Sequence, residues 1–417
     1  MRKKILVISQ IPTHPQNAGN RIRLHNLCSL FKRACEVHFL YYDFEKYYEH
    51  VDKRADIKRM QSFFDYLYVV PNSHSSYLKD ILYSVKILAR KTMGKFIINF
   101  EESEKGKQIL KLIKGLTKRS TCKLTGIDDW YDDNCNLDTA LKNIADEINF
   151  DIVMAEYVFL SKALTYFKES TLKIIDTHDI FTDREKKLRG LNEEYEWFSV
   201  SMPEESKGLN RADIIFAIKD KDKDYFDKIV NKKVAVIGHP VTAIRPQPQK
   251  RYKNLILFAG SAASPNIHGI KWFIDKVFPD IKKKCPEVRI LLAGGLSHVV
   301  FRKGCINLGE IPDIKKAYDM ADIVINPVFF GTGLKIKSIE ALGYGKALVT
   351  SGHGAEGLEA VRGKAYLAAE SPEEFIQHII KLYSDIDLLN QISLEAYRYA
   401  VRYNENIKRA FDDITGQ

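Results

Sequence analysis

A chain of 417 residues exceeds what one hydrophobic core organises, so two domains of about 200 residues each are expected. Hydrophobic content of 45% beside 28% charged residues argues against a disordered chain, and no repeat or low-complexity tract points to a solenoid or fibre. With 64 Lys and Arg against 54 Asp and Glu the net charge is +10, which favours an acidic partner without choosing among nucleotide phosphates, nucleic acid and anionic lipid.

The basic start Met1-Arg2-Lys3-Lys4 runs into Ile5-Leu6-Val7-Ile8, but the apolar run soon meets Gln10 and Pro12 with no small-residue cleavage site. It reads as a first buried strand. No stretch approaches the roughly 20 apolar residues of a membrane span. Cys28, Cys35, Cys122, Cys135, Cys285 and Cys305 form no C-x-x-C pair and no metal-ligand spacing with histidine. Reduced thiols in a cytoplasm are expected.

Short apolar runs then alternate with segments of helical period: Ile5–Ser9, a helix over Arg21–Arg33, Val37–Tyr41, Tyr66–Val70, Ile152–Met154, Leu172–Ile175, Ile214–Ala217 and Val234–Ile237. That alternation predicts an α/β domain with a parallel sheet wrapped in helices. Residues 43–150 interrupt it with a Lys- and Tyr-rich segment expected to be mostly helical. There Leu78, Ile81, Leu82, Val85, Leu88 and Ala89 share a helical face, with Lys79, Lys86 and Arg90 on another. Such a stripe either docks on the domain core or lies on an anionic membrane, the second reading supported by lysines at 105, 107, 111, 114 and 118.

The proline-rich stretch from Pro240 to Pro248 has neither period and marks the boundary. The expected division is a first domain 1–240, a linker 241–253, a second domain 254–394 and a last helix, 395–417, crossing back to the first domain. The second domain reads as strands Leu255–Ala259, Arg289–Ala293, Ile306–Leu308, Ile323–Asn326, Ala347–Thr350 and Ala365–Leu367, each followed by a helix-length segment. Two doubly wound sheets facing each other put a ligand in the cleft between them, beyond the carboxyl ends of the strands.

The most informative stretch runs from Pro327 through Gly331-Thr332-Gly333-Leu334-Lys335-Ile336-Lys337 to Glu340-Ala341: a strand end, a glycine turn, then a helix. Glycines allow close backbone approach, and free N–H groups at a helix start suit a phosphate. Lys335 and Lys337 sit where the helix dipole does not attract cations, which hints at use rather than stability. Glu340 is placed to accept hydrogen bonds from two ribose hydroxyls. Taken singly, each residue is as well explained as a solvated lysine or surface glutamate. A dinucleotide fingerprint fails because Ile336 stands at the third glycine's place, and a P-loop fails at Gly345-Lys346-Ala347.

Together with Phe258-Ala259-Gly260, Pro265-Asn266-Ile267-His268-Gly269-Ile270, Pro279, Pro286 and Gly345, this stretch resembles the donor domain of family 4 glycosyltransferases, retaining enzymes of the group 1 class with the two-domain GT-B fold. The resemblance covers about 100 residues. It implies two Rossmann-like domains across a cleft, a nucleoside diphosphate sugar as donor, a saccharide or lipid-linked acceptor, and no cofactor or metal. Glu340 inherits the ribose role, and Gly260, Asn266, Gly331, Thr332, Gly333, Leu334, Lys335 and Lys337 line the donor. Two positions depart from the family. Thr332 stands where a first glutamate is common, and Ser261 and His268 stand near the usual diphosphate-binding Arg and Lys. Lys335 and Lys337 are expected to supply that charge.

In the first domain, Gly19, Arg21 and Arg23 follow the first strand and are similar to the family's glycine loop beside acceptor and donor phosphates. On a bare reading both arginines are surface residues of a first helical turn. Ile174-Ile175-Asp176-Thr177-His178-Asp179 sets a histidine just past a strand's carboxyl end. It resembles the family's Asp-x-His-Asp segment, so His178 is expected beside the reacting sugar carbon, with Asp179 next to it. The Asp128-Asp129-Trp130-Tyr131-Asp132-Asp133 run suggests a cation site. Solvated acids near a helix start account for it better.

The resemblance implies glycosyl transfer in bacterial surface polysaccharide or glycolipid synthesis, at the inner face of the plasma membrane. A sugar-nucleotide epimerase on the same fold and a nucleotide-binding protein with a worn site are the competing readings. Nucleic acid is disfavoured because the basic residues are dispersed.

Overall fold

The computed structural model describes residues 2–16, 18–42, 55–70, 126–130, 135–184, 199–311, 313–331 and 335–416. In the first half, β1 (Lys3–Ser9), α1 (Gly19–Phe31), β2 (Cys35–Tyr42), α2 (Ile57–Phe63), β3 (Tyr66–Val70), α3 (Cys135–Glu147), β4 (Ile152–Glu156), β5 (Leu172–Asp176), α4 (Met202–Leu209), β6 (Ile214–Ala217), α5 (Asp220–Ile229) and β7 (Lys233–Val236) follow one another. The seven strands form one sheet in the order β3-β2-β1-β4-β5-β6-β7, and every pairing is parallel. Ile5 to Ile8 show no exposure, as central strands covered on both faces require.

The second half repeats the plan. β8 (Leu255–Ala259), α6 (Ser264–Lys276), α7 (Phe278–Lys284), β9 (Arg289–Ala293), β10 (Cys305–Gly309), α8 (Lys315–Met320), β11 (Ile323–Asn326), α9 (Ile336–Gly343), β12 (Ala347–Thr350) and β13 (Leu367–Ala368) lead into α10 (Pro372–Ser384) and α11 (Ile386–Thr415). The sheet order is β10-β9-β8-β11-β12-β13. Each sheet thus reverses its winding beside its first strand, leaving a crevice between β1 and β4 in one and β8 and β11 in the other. These are the two Rossmann-like domains of a GT-B fold.

The last helix joins them. Leu389 and Ile392 belong to the second domain's core, while Ile407 and Phe411 belong to the first, where Phe411 packs edge-on against Phe31 at 4.6 Å. Two asparagines on this helix fasten the chain between the domains. Asn404 accepts from Val241 N–H at 3.0 Å and donates to Val241 C=O at 2.6 Å, and Asn390 does the same to Gln249 at 2.8 and 3.0 Å. Gly238 must be glycine here, because a Cβ would meet the Tyr403 hydroxyl at 2.2 Å.

Two elements differ from expectation. The crossing helix starts at Ile386 rather than Glu395, because the Asp385 carboxylate accepts the Leu388 N–H at 2.9 Å and begins the helix directly after α10. The strand expected at Ala365–Leu367 forms at Leu367–Ala368, since Gly363 N–H closes a turn on Tyr366 C=O at 2.8 Å. Tyr66–Val70, the strand expected inside the insertion, is β3, an edge strand of the first sheet. The Leu78–Ala89 stripe and the lysines after it lie outside the described residues. Among the described residues no helix is long and apolar enough to cross a membrane.

Candidate functional site

The turn after β11 is held from below. Asn326 Nδ2 donates to Ser338 Oγ at 2.9 Å, and Ser338 Oγ donates to Gly354 C=O at 2.6 Å, tying the strand end, the first turn of α9 and the loop after β12 together. Gly331 has φ +125, a conformation glycine tolerates. Thr332, Gly333 and Leu334 lie outside the described residues. Among the described residues no side chain caps the start of α9, so its first N–H groups are left for other acceptors.

Charge at this junction is desolvated. Lys335 is 9% exposed, with Nζ 3.3 Å from Gly331 C=O and 3.8 Å from Glu356 Oε2. Burial pushes its ammonium down to about 8, against the pull of Glu356. Burial likewise pushes Lys337 down to about 8 and Glu340 up to about 7, each opposed by the other's charge. Neither makes a hydrogen bond or close ion pair among the described residues. Such groups are poised for a ligand that brings the missing partners. A Cβ on Gly260 would meet Lys337 Cε at 2.9 Å, so this glycine is what lets the lysine cross the end of β8. Asn266 is buried beside it, donating to Ser261 C=O at 3.0 Å, which shapes the loop instead of facing outward.

The first domain meets this junction directly: a Cβ on Gly19 would lie 2.7 Å from Ile336 Cδ1. Its arginines are not on the surface. Arg21 is 2% exposed and donates to Pro15 C=O at 3.3 Å. Arg23 is fully buried, grips Asp176 through Nε at 2.9 Å and through Nη2, and also donates to Gly238 and Ile237 C=O at 2.6 and 3.0 Å. The expectation of an exposed arginine, or one reaching a phosphate, fails for Arg23. Helix α1 is covered by the sheet on one side and the segment leaving β7 on the other, so its polar first turn is enclosed.

His178 sits at the centre of a three-residue turn closed by Asp179 N–H on Thr177 C=O at 2.7 Å, with φ +57. Its Nε2 bonds Glu156 Oε1 and lies 3.3 Å from Asp176 Oδ2, while its ring stacks on Tyr157 at 4.4 Å. Tyr157 also has a positive φ, +63. Each such conformation costs a non-glycine residue about 1–3 kcal/mol, and strain of this kind gathers at working sites. Burial opposes charge on His178, but Glu156 and Asp176 outweigh it and hold the imidazole up to about 9. Asp179 is 9% exposed and pairs with Arg184 at 3.1 Å.

Glu156, Asp176 and His178 bring three ligand-type atoms close enough for a cation. One nitrogen and two carboxylates would suit a divalent metal chemically. Here Arg23 occupies both Asp176 oxygens and the His178 ring joins the carboxylates, so the cluster's charge is met by protein groups. Of the acidic run before α3, Asp128 pairs with Lys207 at 2.8 Å and Arg211 at 2.7 Å, a local clamp. Asp132 and Asp133 lie outside the described residues.

Several residues at the cleft carry no motif. Glu356 Oε1 lies 3.3 Å from both Lys219 and Lys221 of the first domain, while its other oxygen faces Lys335 of the second. Burial alone would raise this carboxyl, and the lysines hold it below the usual range. Buried His239 has no hydrogen-bond partner on either ring nitrogen and is pushed down to about 3, by burial first and then by Arg23 and His178. It lines a cavity of about 170 Å³ with Gln16, Asn26, Ile311, Glu340 and Tyr344. Glu156, Tyr157 and Lys219 lie at or just past strand carboxyl ends, as His178 does.

Comparison with known proteins agrees with the fold. Residues 253–385 match the family described as glycosyl transferases group 1. An uncharacterised 44.6 kDa protein in the cps region of Klebsiella pneumoniae is 28% identical over 173 residues, a match spanning 38% of this chain and 44% of that protein. Among solved structures, sucrose-phosphate synthase of Thermosynechococcus elongatus aligns at TM-score 0.64 and 12% identity over 100% of this chain and 99% of that one. Anabaena HepE, in complex with UDP and glucose, aligns at TM-score 0.58 and 13% identity over 99% and 100%. An S. aureus TarM variant bound to fondaparinux, alpha-GlcNAc-glycerol and UDP aligns at 0.62 and 10% over both full lengths. The matched residues 253–385 make up most of the second domain of the GT-B fold.

Proposed function

We propose that the chain transfers a glycosyl group from a nucleoside diphosphate sugar to an acceptor hydroxyl with retention, as a member of family 4. The observation carrying this is the desolvated set Lys335, Lys337 and Glu340 around an uncapped helix start. Glu340, at the edge of the cavity with His239 and Tyr344, accepts the two ribose hydroxyls. Lys335, Lys337 and the N–H groups opening α9 face the diphosphate, with Gly260, Asn266 and Gly331 forming the walls. Gly19 brings the first domain against Ile336 of α9, with Arg21 beside it, and His178 and Asp179 border the sugar.

In the reaction, the acceptor oxygen forms a bond to the anomeric carbon as the bond from that carbon to the diphosphate oxygen breaks. The acceptor's proton passes to the departing diphosphate. Positive charge preorganised at the leaving oxygen is the main service required, and here lysines and helix N–H groups supply it. No protein nucleophile enters, and no metal is required, so chelators are expected to leave the rate unchanged. The cps-region relative supports a role in surface polysaccharide or glycolipid assembly, with a saccharide or lipid-linked acceptor at the inner face of the membrane.

Thermal shift against UDP, GDP, ADP and CMP compounds identifies the donor base, since only a ligand of the folded state raises Tm. Turnover with that donor and an acceptor mixture then tests transfer. Stabilisation by none of them contradicts the proposal, and epimerised donor appearing without acceptor assigns the cleft to the other chemistry.

A further inference from the structure

Two residues around His178, Glu156 and Tyr157, have no part in the reaction. Glu156 is fully buried, yet its Oε2 has no hydrogen-bond partner, an arrangement costly enough to call for a reason. Tyr157 follows it in a strained left-handed conformation and presents its ring face to the histidine at 21° between planes. The Tyr157 hydroxyl accepts from Asn20 Nδ2 at 3.4 Å, so the same side chain reaches the turn that begins at Gly19. Tyr157 N–H in turn donates to Asp176 C=O at 2.8 Å, joining the ends of β4 and β5.

These contacts fix the imidazole in every respect but one. Its Nε2 edge is held by Glu156 and Asp176, one face is covered by Tyr157, and its backbone is locked by the turn from Thr177 to Asp179. Nδ1 alone has no partner among the described residues. The charged groups around the ring are Glu156 on β4, Asp176 on β5 and Arg23 on α1, with neutral His239 on the segment after β7. Arg23 spends its charge on Asp176, which leaves Glu156 as the counter-ion free to belong to the histidine.

Resting on the reading that the cleft holds a donor sugar, we propose that Glu156 and Tyr157 are positioning residues that present His178 Nδ1–H, as a charged donor, to an oxygen of the bound glycosyl group. Glu156 keeps the proton on the ring, and Tyr157 sets the ring's angle and couples it to the loop at Asn20. The oxygen this donor recognises is a sugar hydroxyl or a sugar-ring oxygen, since the diphosphate is met from the other domain.

The test combines imidazole nitrogen NMR with kinetics on the full chain, using His178→Gln to assign the signal. At pH 7.5 both His178 nitrogens are expected protonated in wild type. In Glu156→Gln, which keeps shape and removes charge, the ring is expected neutral, with kcat down at least tenfold and affinity for the nucleoside diphosphate within twofold. Tyr157→Phe is expected to keep wild-type kcat, whereas Tyr157→Leu loses tenfold at unchanged nucleotide affinity. A charged His178 and wild-type kcat in Glu156→Gln would overturn the proposal, as would a His178 signal that moves on adding magnesium or zinc. Should wild type turn over no nucleotide sugar, the function reading fails, while the NMR arm still decides whether Glu156 and Tyr157 hold the ring.

Discussion

The two sides of the cleft handle buried charge in opposite ways. On the first-domain side, Arg23 and Asp176 satisfy each other through short contacts in full burial, and Asp176 also meets His178. On the second-domain side, Lys337 and Glu340 are desolvated without direct partners among the described residues, and Lys335 has one hydrogen bond to Gly331 C=O and a long contact to Glu356. A saturated network holds shape, whereas an unsaturated one is kept for a ligand. Substitutions at the Arg23–Asp176 pair are therefore expected to cost stability, and substitutions on the second side to cost activity.

The largest effect expected is at Arg23. Removing it leaves Asp176 buried and uncompensated, which costs about 3–5 kcal/mol, read as a lower denaturant midpoint. Were Arg23→Met as stable as wild type, the comparison would collapse on that side. Next, Lys335→Ala is expected to lower kcat by about 10²–10³, the range for losing one preorganised charge donor. The same variant should unfold at the wild-type denaturant concentration or above it, because it removes a charge that burial disfavours. A large loss of stability there would make Lys335 structural.

Acidity offers a third way to sharpen the contrast. Glu340, raised to about 7, gains charge as pH rises through 7, and Lys335 and Lys337, lowered to about 8, lose charge as pH rises through 8. A bell-shaped kcat/KM with its maximum between these values follows. In Lys337→Ala the acid limb moves to higher pH, since the cation opposing the Glu340 shift is gone. A flat profile from pH 6 to 9 would remove these groups from the rate. The smallest effect is at the linker: Asn404→Ala loses two hydrogen bonds to Val241, about 1 kcal/mol each in net terms.

Much of the fold was legible because parallel strands covered on both faces read as short, dense apolar runs, and the Gly331–Glu340 junction was legible because a glycine turn opening a helix has a local pattern. Arg23 was misplaced because its burial comes from a segment more than 200 residues away, at Ile237 and Gly238. Glu356 was invisible for the same reason, its meaning arising only where Lys219, Lys221 and Lys335 converge. Glu156 lies two residues beyond the strand expected at Ile152–Met154, which the structure extends to it. Nothing local distinguishes a strand-end carboxylate that meets a histidine from one that meets water.

Calorimetric titration of the nucleoside diphosphate selected by thermal shift, into wild type and into the Lys335→Ala, Glu340→Ala double variant, tests the central claim most directly. The account predicts a single site in wild type and an affinity at least tenfold weaker in a double variant that unfolds at the same temperature. Equal affinity in the two proteins, or no binding by wild type, would contradict it.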